Sequence, residues 1–293
     1  NDVAVKAGRV FPINDQDYFD LGKLSIKSLD QSVTLQIAKD NKGYRTDWVN
    51  HIYSCFGEKG IVALAFWFGT LFAEQIREQQ KSYPFLEIVG EPGAGKTTLI
   101  EFLWKLLGRP DEEGFDPSKS TPAARSRKMS QVANLPVSLI EGDRDEDTAH
   151  SKKFDWDELK TAYNGRSVRS RGTKTNGNQT YDPPFRGAVV ISQNADVNTS
   201  EAVLQRIVHL KFTRASHTEE SQKMAHELEH MPLENLSHFV IEAAKKETEV
   251  MAVMTEKTKG FERHLSSLPG VKNVRIAKNY GQLCALVLAL ALV

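Results

Sequence analysis

The stretch Phe85-Leu86-Glu87-Ile88-Val89-Gly90-Glu91-Pro92-Gly93-Ala94-Gly95-Lys96-Thr97 decides how the rest of the chain is read. Its first residues are a short apolar run of strand length. Beyond the glycines, Leu99, Ile100, Leu103, Leu106 and Leu107 share one face of a helix predicted over Thr97 to Leu107, which Gly108 and Pro110 terminate. Strand, glycine-rich loop and helix follow in the order that gives G-x-x-x-x-G-K-[ST] its physical meaning. Glycines let the backbone curl so that successive N–H groups point inward, and the helix adds its positive amino end, making a cradle for phosphate oxygens. The expected phosphate site is Gly90, Glu91, Pro92, Gly93, Ala94, Gly95, Lys96, Thr97 and Thr98. Lys96 is expected to reach the β- and γ-phosphates of ATP, and Thr97 to place its hydroxyl on the bridging Mg²⁺.

Such a site needs an acid on a neighbouring strand to hold Mg²⁺ and orient the attacking water. The run Leu135-Pro136-Val137-Ser138-Leu139-Ile140-Glu141-Gly142-Asp143 is the candidate, although an adjacent Asp-Glu pair is missing. Either Glu141 orients water while Ile140 stands where the metal-side Asp would be, or Glu141 and Asp143 work together as metal-side acids. A third strand, Ala188 to Ser192, ends in Gln193-Asn194, where the carboxyl end of a parallel strand would face the ligand. Asn194, less so Gln193, is expected to contact the γ-phosphate or the water. Arg206 precedes the alternating strand Ile207 to Phe212 and is read either as an arginine finger acting on a neighbouring subunit's phosphate or as a surface ion pair.

Around this core, the 293 residues carry 38 Lys plus Arg against 38 Asp plus Glu, so no global field draws the chain to nucleic acid or lipid and any such site must be local. Between Glu158 and Asp182 there is no acidic residue, while Lys160, Arg166, Arg169, Arg171 and Lys174 all fall there. Asn164-Gly165 and Asn176-Gly177 are turn signals, the second between Thr-rich flanks, so a projecting hairpin with a basic tip is predicted. It would track a phosphate backbone, with Tyr163 or Tyr181 as a stacking face, or else be a solvated loop. A second basic cluster, Lys119, Arg125, Arg127 and Lys128, follows a helix start at Thr121-Pro122 and either lines the same channel or forms an exposed face.

Hydrophobic residues make up 40%, ordinary for a globular chain. The lone Cys55 and Cys284 have no ligand spacing and suit a reducing compartment, so a cytoplasmic setting is expected. The start without Met and the apolar end Leu283 to Val293 suggest a piece cut from a longer chain, the end being a core helix too short to span a bilayer. No membrane association is expected. Residues 1–45 are read as a strand-containing remnant that includes Ser32 to Ile37, 46–84 as a helical segment with breaks at Gly57 and Gly60, 85–215 as the phosphate-loop core and 216–293 as a helical region.

Phosphate loop, acidic strand, basic hairpin, strand ending in Asn and Arg before a final strand together resemble the superfamily 3 helicases within the AAA+ ATPases, particularly the helicase half of phage and plasmid primase-helicases. Leu159-Lys160, Gly165-Arg166, the arm through Lys174, Ala188 to Asn194 and Val203-Leu204-Gln205-Arg206-Ile207 follow that family's plan. The resemblance covers about residues 85 to 215 and implies an α/β AAA+ three-layer core with a parallel sheet. It also implies ATP hydrolysis at sites between subunits of a homo-oligomeric ring, read as a hexamer, that moves single-stranded or forked DNA, with a primase domain upstream. The missing Asp-Glu pair departs from the family, and Arg275 is a candidate second-sensor residue or a surface arginine.

Overall fold

The computed structural model describes residues 3–6, 9–28, 33–140, 154–172, 180–214 and 218–293. Two short antiparallel pairs come first, β1 (Val3–Lys6) with β2 (Arg9–Pro12) and β3 (Tyr18–Asp20) with β4 (Ser25–Lys27). The alternation up to Ile37 makes no strand in the described residues from Val33 on. Val33, Leu35 and Ile37 still lie against the core, but the backbone runs past Gly108, whose carbonyl takes the Gln36 N–H at 2.8 Å, and no ladder forms.

Helix α1 (Trp48–Thr70) is interrupted at Gly57, which has φ 58° and ψ −150°, but continues through Gly60. The second break falls after Thr70, before α2 (Ala73–Gln80). Helix α1 is apolar nearly all round in its second half, where Ala63 to Thr70 are buried, because it is packed on several sides. Trp67 meets Trp104 of α3 (Lys96–Leu106) edge to face, with centroids 5.9 Å apart. The face predicted for α3 is buried, and Phe102 and Trp104 are buried as well, since the helix lies between the sheet and α1.

The sheet has four parallel strands in the order β10-β5-β9-β6, where β5 is Phe85–Gly90, β6 Ala133–Ile140, β9 Arg186–Gln193 and β10 Ile207–Phe212. The three later strands sit on the predicted apolar runs. Pro136 is tolerated because β6 is the outer strand of this sheet, and the register shifts just before it. Phe115 makes an isolated parallel bridge to Leu139 on the far side of β6. Every residue of β5 is buried, as expected for a central strand covered on both faces. Between β6 and β9 lie β7 (Arg171–Gly172) and β8 (Thr180–Tyr181), paired antiparallel, and α4 (Pro122–Ser130) begins at the predicted Thr121 cap, whose hydroxyl accepts the Ala124 N–H.

After β9 come α5 (Glu201–Leu204), then beyond β10 α6 (Glu219–His230), α7 (Phe239–Lys245), α8 (Glu247–Ser266) and α9 (Val274–Leu290). The C-terminal region is therefore helical, as predicted. The apolar end of the chain is the buried side of α9, with Leu283, Ala285, Leu286 and Ala289 packed in the same hydrophobic core as α1 and β5. No single helix among the described residues is long and apolar enough to cross a membrane.

Candidate functional site

The parallel register brings the carboxyl ends of the strands together. Gly90 lies beside Phe212, Val89 beside Gln193, and Ile140 beside Ser192. Gly90 must lack a side chain here, because a Cβ would sit 2.2 Å from the Phe212 carbonyl oxygen. Gly95 caps α3 at φ 82°, a left-handed conformation that directs the chain from loop into helix. In the first turn of α3, helix geometry gives the main-chain amides of Thr97 and Thr98 no carbonyl one turn back, which is the condition for an anion site. The residues present therefore fit a nucleotide's phosphates, and Thr97 is exposed at the helix start where a magnesium ligand is required.

Lys96 is 9% exposed and donates from Nζ to the Gly90 carbonyl, to the Glu91 carbonyl at 3.1 Å and to Asn194 Oδ1 at 3.0 Å. The ammonium thus faces polar oxygens of the loop and of the residue just past β9. Lys96, expected at the β- and γ-phosphates, and Asn194, expected at the γ-phosphate or the water, are in side-chain contact. A phosphate entering between them would exchange neutral acceptors for anionic ones, which makes stronger, charge-assisted bonds. Glu141 and Asp143 lie outside the described residues, and β6 is described up to Ile140.

Arg206 sits at the other end of the sheet. Its carbonyl accepts the N–H of Phe85, the first residue of β5, so at 3.3 Å per residue it lies about 17 Å from the level of Gly90. Its guanidinium donates to the Ala202 carbonyl and stacks over the Tyr163 ring at 5.3 Å. Burial, with the nearby charge of Arg275, moves its pKa down. Arg275 donates to Gln205 Oε1 at 3.2 Å, at that same end, and is no part of the loop site.

Two features of the site went unread in the sequence. Arg214, just past the carboxyl end of β10, donates from Nε to the Pro92 carbonyl at 2.6 Å and lies 3.3 Å from where a side chain on Gly93 would begin. The sequence shows only that it follows the last of the apolar runs read as strands, since the pairing of β10 with β5 is a tertiary feature. Glu87, wholly buried in β5, accepts from Gln193 Nε2 at 2.9 Å and the Val197 N–H at 2.7 Å and pairs with His209 of β10. A lone glutamate inside an apolar strand requires such partners, and the cross-strand partners lie far away in sequence.

The basic arm has the predicted hairpin base, with Arg171 opposite Tyr181 and Gly172 opposite Thr180; Lys174 and the Asn176-Gly177 turn lie outside the described residues. Arg166 and Arg169 are exposed, while Lys160 is half-buried and paired with Asp157 at 2.7 Å. Tyr163 is not a stacking face: it is buried, and its hydroxyl donates to Asn279 Oδ1 of α9 at 2.6 Å. Tyr181, 60% exposed, is the one of the pair that faces solvent. The second basic cluster is divided, because Arg125 is buried and bonded to both carboxylate oxygens of Glu158 at 2.8 and 3.0 Å.

Neither a protein-family model nor a curated protein matches the sequence. Among solved structures, the one described as "SCCmec type IV Cch - active helicase" superposes with a TM-score of 0.58 at 14% identity, over 94% of this chain and 54% of that one. The chain thus spans about half the length of that helicase. The apo structure of the NrS-1 C-terminal region covers 95% of this chain and 74% of its own at 14% identity, with a TM-score of 0.39. An X-ray structure of JCV helicase covers 80% and 64% at 13% identity, with a TM-score of 0.31. Strand order, phosphate loop and the first of these superpositions agree that the chain has the α/β fold of the AAA+ and helicase class.

Proposed function

We propose that this chain is the ATP-hydrolysing motor of a superfamily 3-like DNA helicase, working as a ring. The contact of Lys96 with Asn194 across the carboxyl ends of β5 and β9 carries the reading, because it pairs a phosphate cation with a polar group aimed at the same space. Thr97, with help from Glu141 and Asp143, would hold Mg²⁺, which would offset phosphate charge when bound. Lys96 holds the β- and γ-phosphates against the loop amides, and Asn194 orients the γ-phosphate or the attacking water. Where the metal is held without it, Glu141 orients the attacking water. Arg206 is too far from its own loop to touch that phosphate, so its finger role is served on the ATP of a neighbouring subunit. The hairpin bearing Arg169, Arg171 and Lys174, with Arg166 and Lys160 at its base and Tyr181 beside it, grips single-stranded DNA through its backbone.

The test is ATP turnover at low salt with and without single-stranded DNA. Turnover should rise with DNA, and the double variant Arg169→Ala, Lys174→Ala should lose that rise while basal turnover stays. A second reading, a nucleotide-dependent assembly switch that moves no strand, is favoured by the end of β6, where Ile140 stands in place of a metal-side aspartate. DNA-independent turnover in the wild-type chain would decide for the switch.

A further inference from the structure

We propose that His226, Glu229 and His230 of α6 form a binding site for a divalent transition metal of the zinc type, with Thr98 of the phosphate-loop helix as its outer partner. The spacing places all three side chains on one helix face, one turn apart. All three are exposed, and one donor atom of each lies within 4.8 Å of the others. The two imidazole rings are already in contact, with centroids 4.0 Å apart and planes tilted by 44°.

The surroundings are those of a prepared ligand set rather than of chance neighbours. His230 Nδ1 lies 2.8 Å from the His226 carbonyl oxygen. A carbonyl only accepts, so Nδ1 carries the proton and Nε2 is the nitrogen left to ligate a metal. An imidazole that donates one N–H to a main-chain carbonyl and ligates through the other nitrogen is the usual arrangement around a bound metal. Glu229 is oriented as well: its Oε1 accepts the Thr98 hydroxyl at 3.0 Å, which leaves the second oxygen for a cation. Lys105 of α3 donates to the main-chain carbonyl of Glu229, pinning the same turn of α6 to the phosphate-loop helix.

Two imidazoles and one carboxylate select zinc, cobalt or nickel, whereas Mg²⁺ prefers an all-oxygen shell, so this site is distinct from the nucleotide's magnesium. Three protein ligands leave a fourth position for water. The residues His226-Glu227-Leu228-Glu229-His230 also match the pattern of a hydrolytic zinc helix, but Glu227 is drawn to His51 Nε2 of α1 at 3.5 Å. The site therefore supplies ligands without a general base, and we assign it binding and not hydrolysis. Its bond to Thr98, the residue after the expected magnesium ligand Thr97, places metal occupancy one hydroxyl away from the nucleotide loop.

The experiment is calorimetric titration of the metal-stripped chain with zinc chloride, paired with the absorption spectrum of added cobalt(II). One equivalent should bind, with the intense visible bands of a four-coordinate cobalt site. His226→Ala, and His230→Gln as a polar alternative, should each weaken zinc by more than about tenfold, and Thr98→Val by about tenfold, with circular dichroism unchanged. His264→Ala, an exposed histidine on α8, should leave the affinity as it was. Zinc binding of equal strength in the His226→Ala and His230→Gln variants, or no stoichiometric uptake by the wild-type chain, overturns the proposal. Neither result touches the ATPase reading, in which His226, Glu229 and His230 have no part.

Discussion

Glu87 shows what a single residue does for this site. Its carboxylate ties the central strand to Val197 and to Gln193, the residue before Asn194, on one side and to His209 on the other. Removing it leaves a buried amide, a main-chain N–H and an imidazole without their acceptor, so Glu87→Ala should cost about 3 kcal/mol, read as a lower urea midpoint at unchanged slope. His209→Ala should cost less, because the His209 side chain is 39% exposed and water can replace it. At this scale the sequence was legible where the motif sets the position, as for Lys96 and Thr97 at the start of α3. It was not legible where the partner is remote: Tyr163 is buried with its hydroxyl bonded to Asn279 of α9, and Arg214 acquires its place only once β10 lies beside β5. Arg125 reads as a surface cation until Glu158 is brought to it.

Among the elements, those with a strong local period were read correctly and those that depend on a neighbour were not. The strands β5, β6, β9 and β10 and the helix α3 announce themselves by apolar runs and by glycine and proline stops. Gly60 stays inside α1 because tertiary packing on several sides outweighs a propensity cost of about 1 kcal/mol. The alternating residues up to Ile37 face the core yet form no described strand, since alternation states which side is buried and not whether a partner strand exists. Helix α6 begins with a reciprocal cap, in which Thr218 accepts from the Ser221 N–H and Ser221 accepts from the Thr218 N–H. Thr218→Ala should therefore lower stability by about 1 kcal/mol, measured by thermal unfolding. The absence of any change would mean that tertiary contacts of α6 with α1 and α3 fix its start without the cap.

For the whole molecule, the two ends of one sheet divide the proposed chemistry: the phosphate loop at the carboxyl ends, and Arg206 at the amino end of β10, about 17 Å away. If the arginine serves a neighbouring subunit, two inactive variants should complement. Mixing Arg206→Ala with Lys96→Ala subunits should restore part of the ATP turnover that each lacks alone. Complete inactivity at every mixing ratio would remove the intersubunit role. The sheet order that makes this geometry was not readable from the sequence, because parallel strands are paired by their crossover packing and not by adjacent residues. The motif order around Gly90 to Thr97 implied the class of fold, and the observed order β10-β5-β9-β6 supplies the distances.

The most direct measurement is calorimetric titration of the chain with ATP in the presence of Mg²⁺, repeated with Lys96→Ala. One site should bind in the unmodified chain, and loss of the Lys96 ammonium should weaken it by at least about tenfold, as expected for a charge-assisted bond to phosphate. Failure of the intact chain to bind ATP, or equal affinity in the Lys96→Ala variant, would contradict the account.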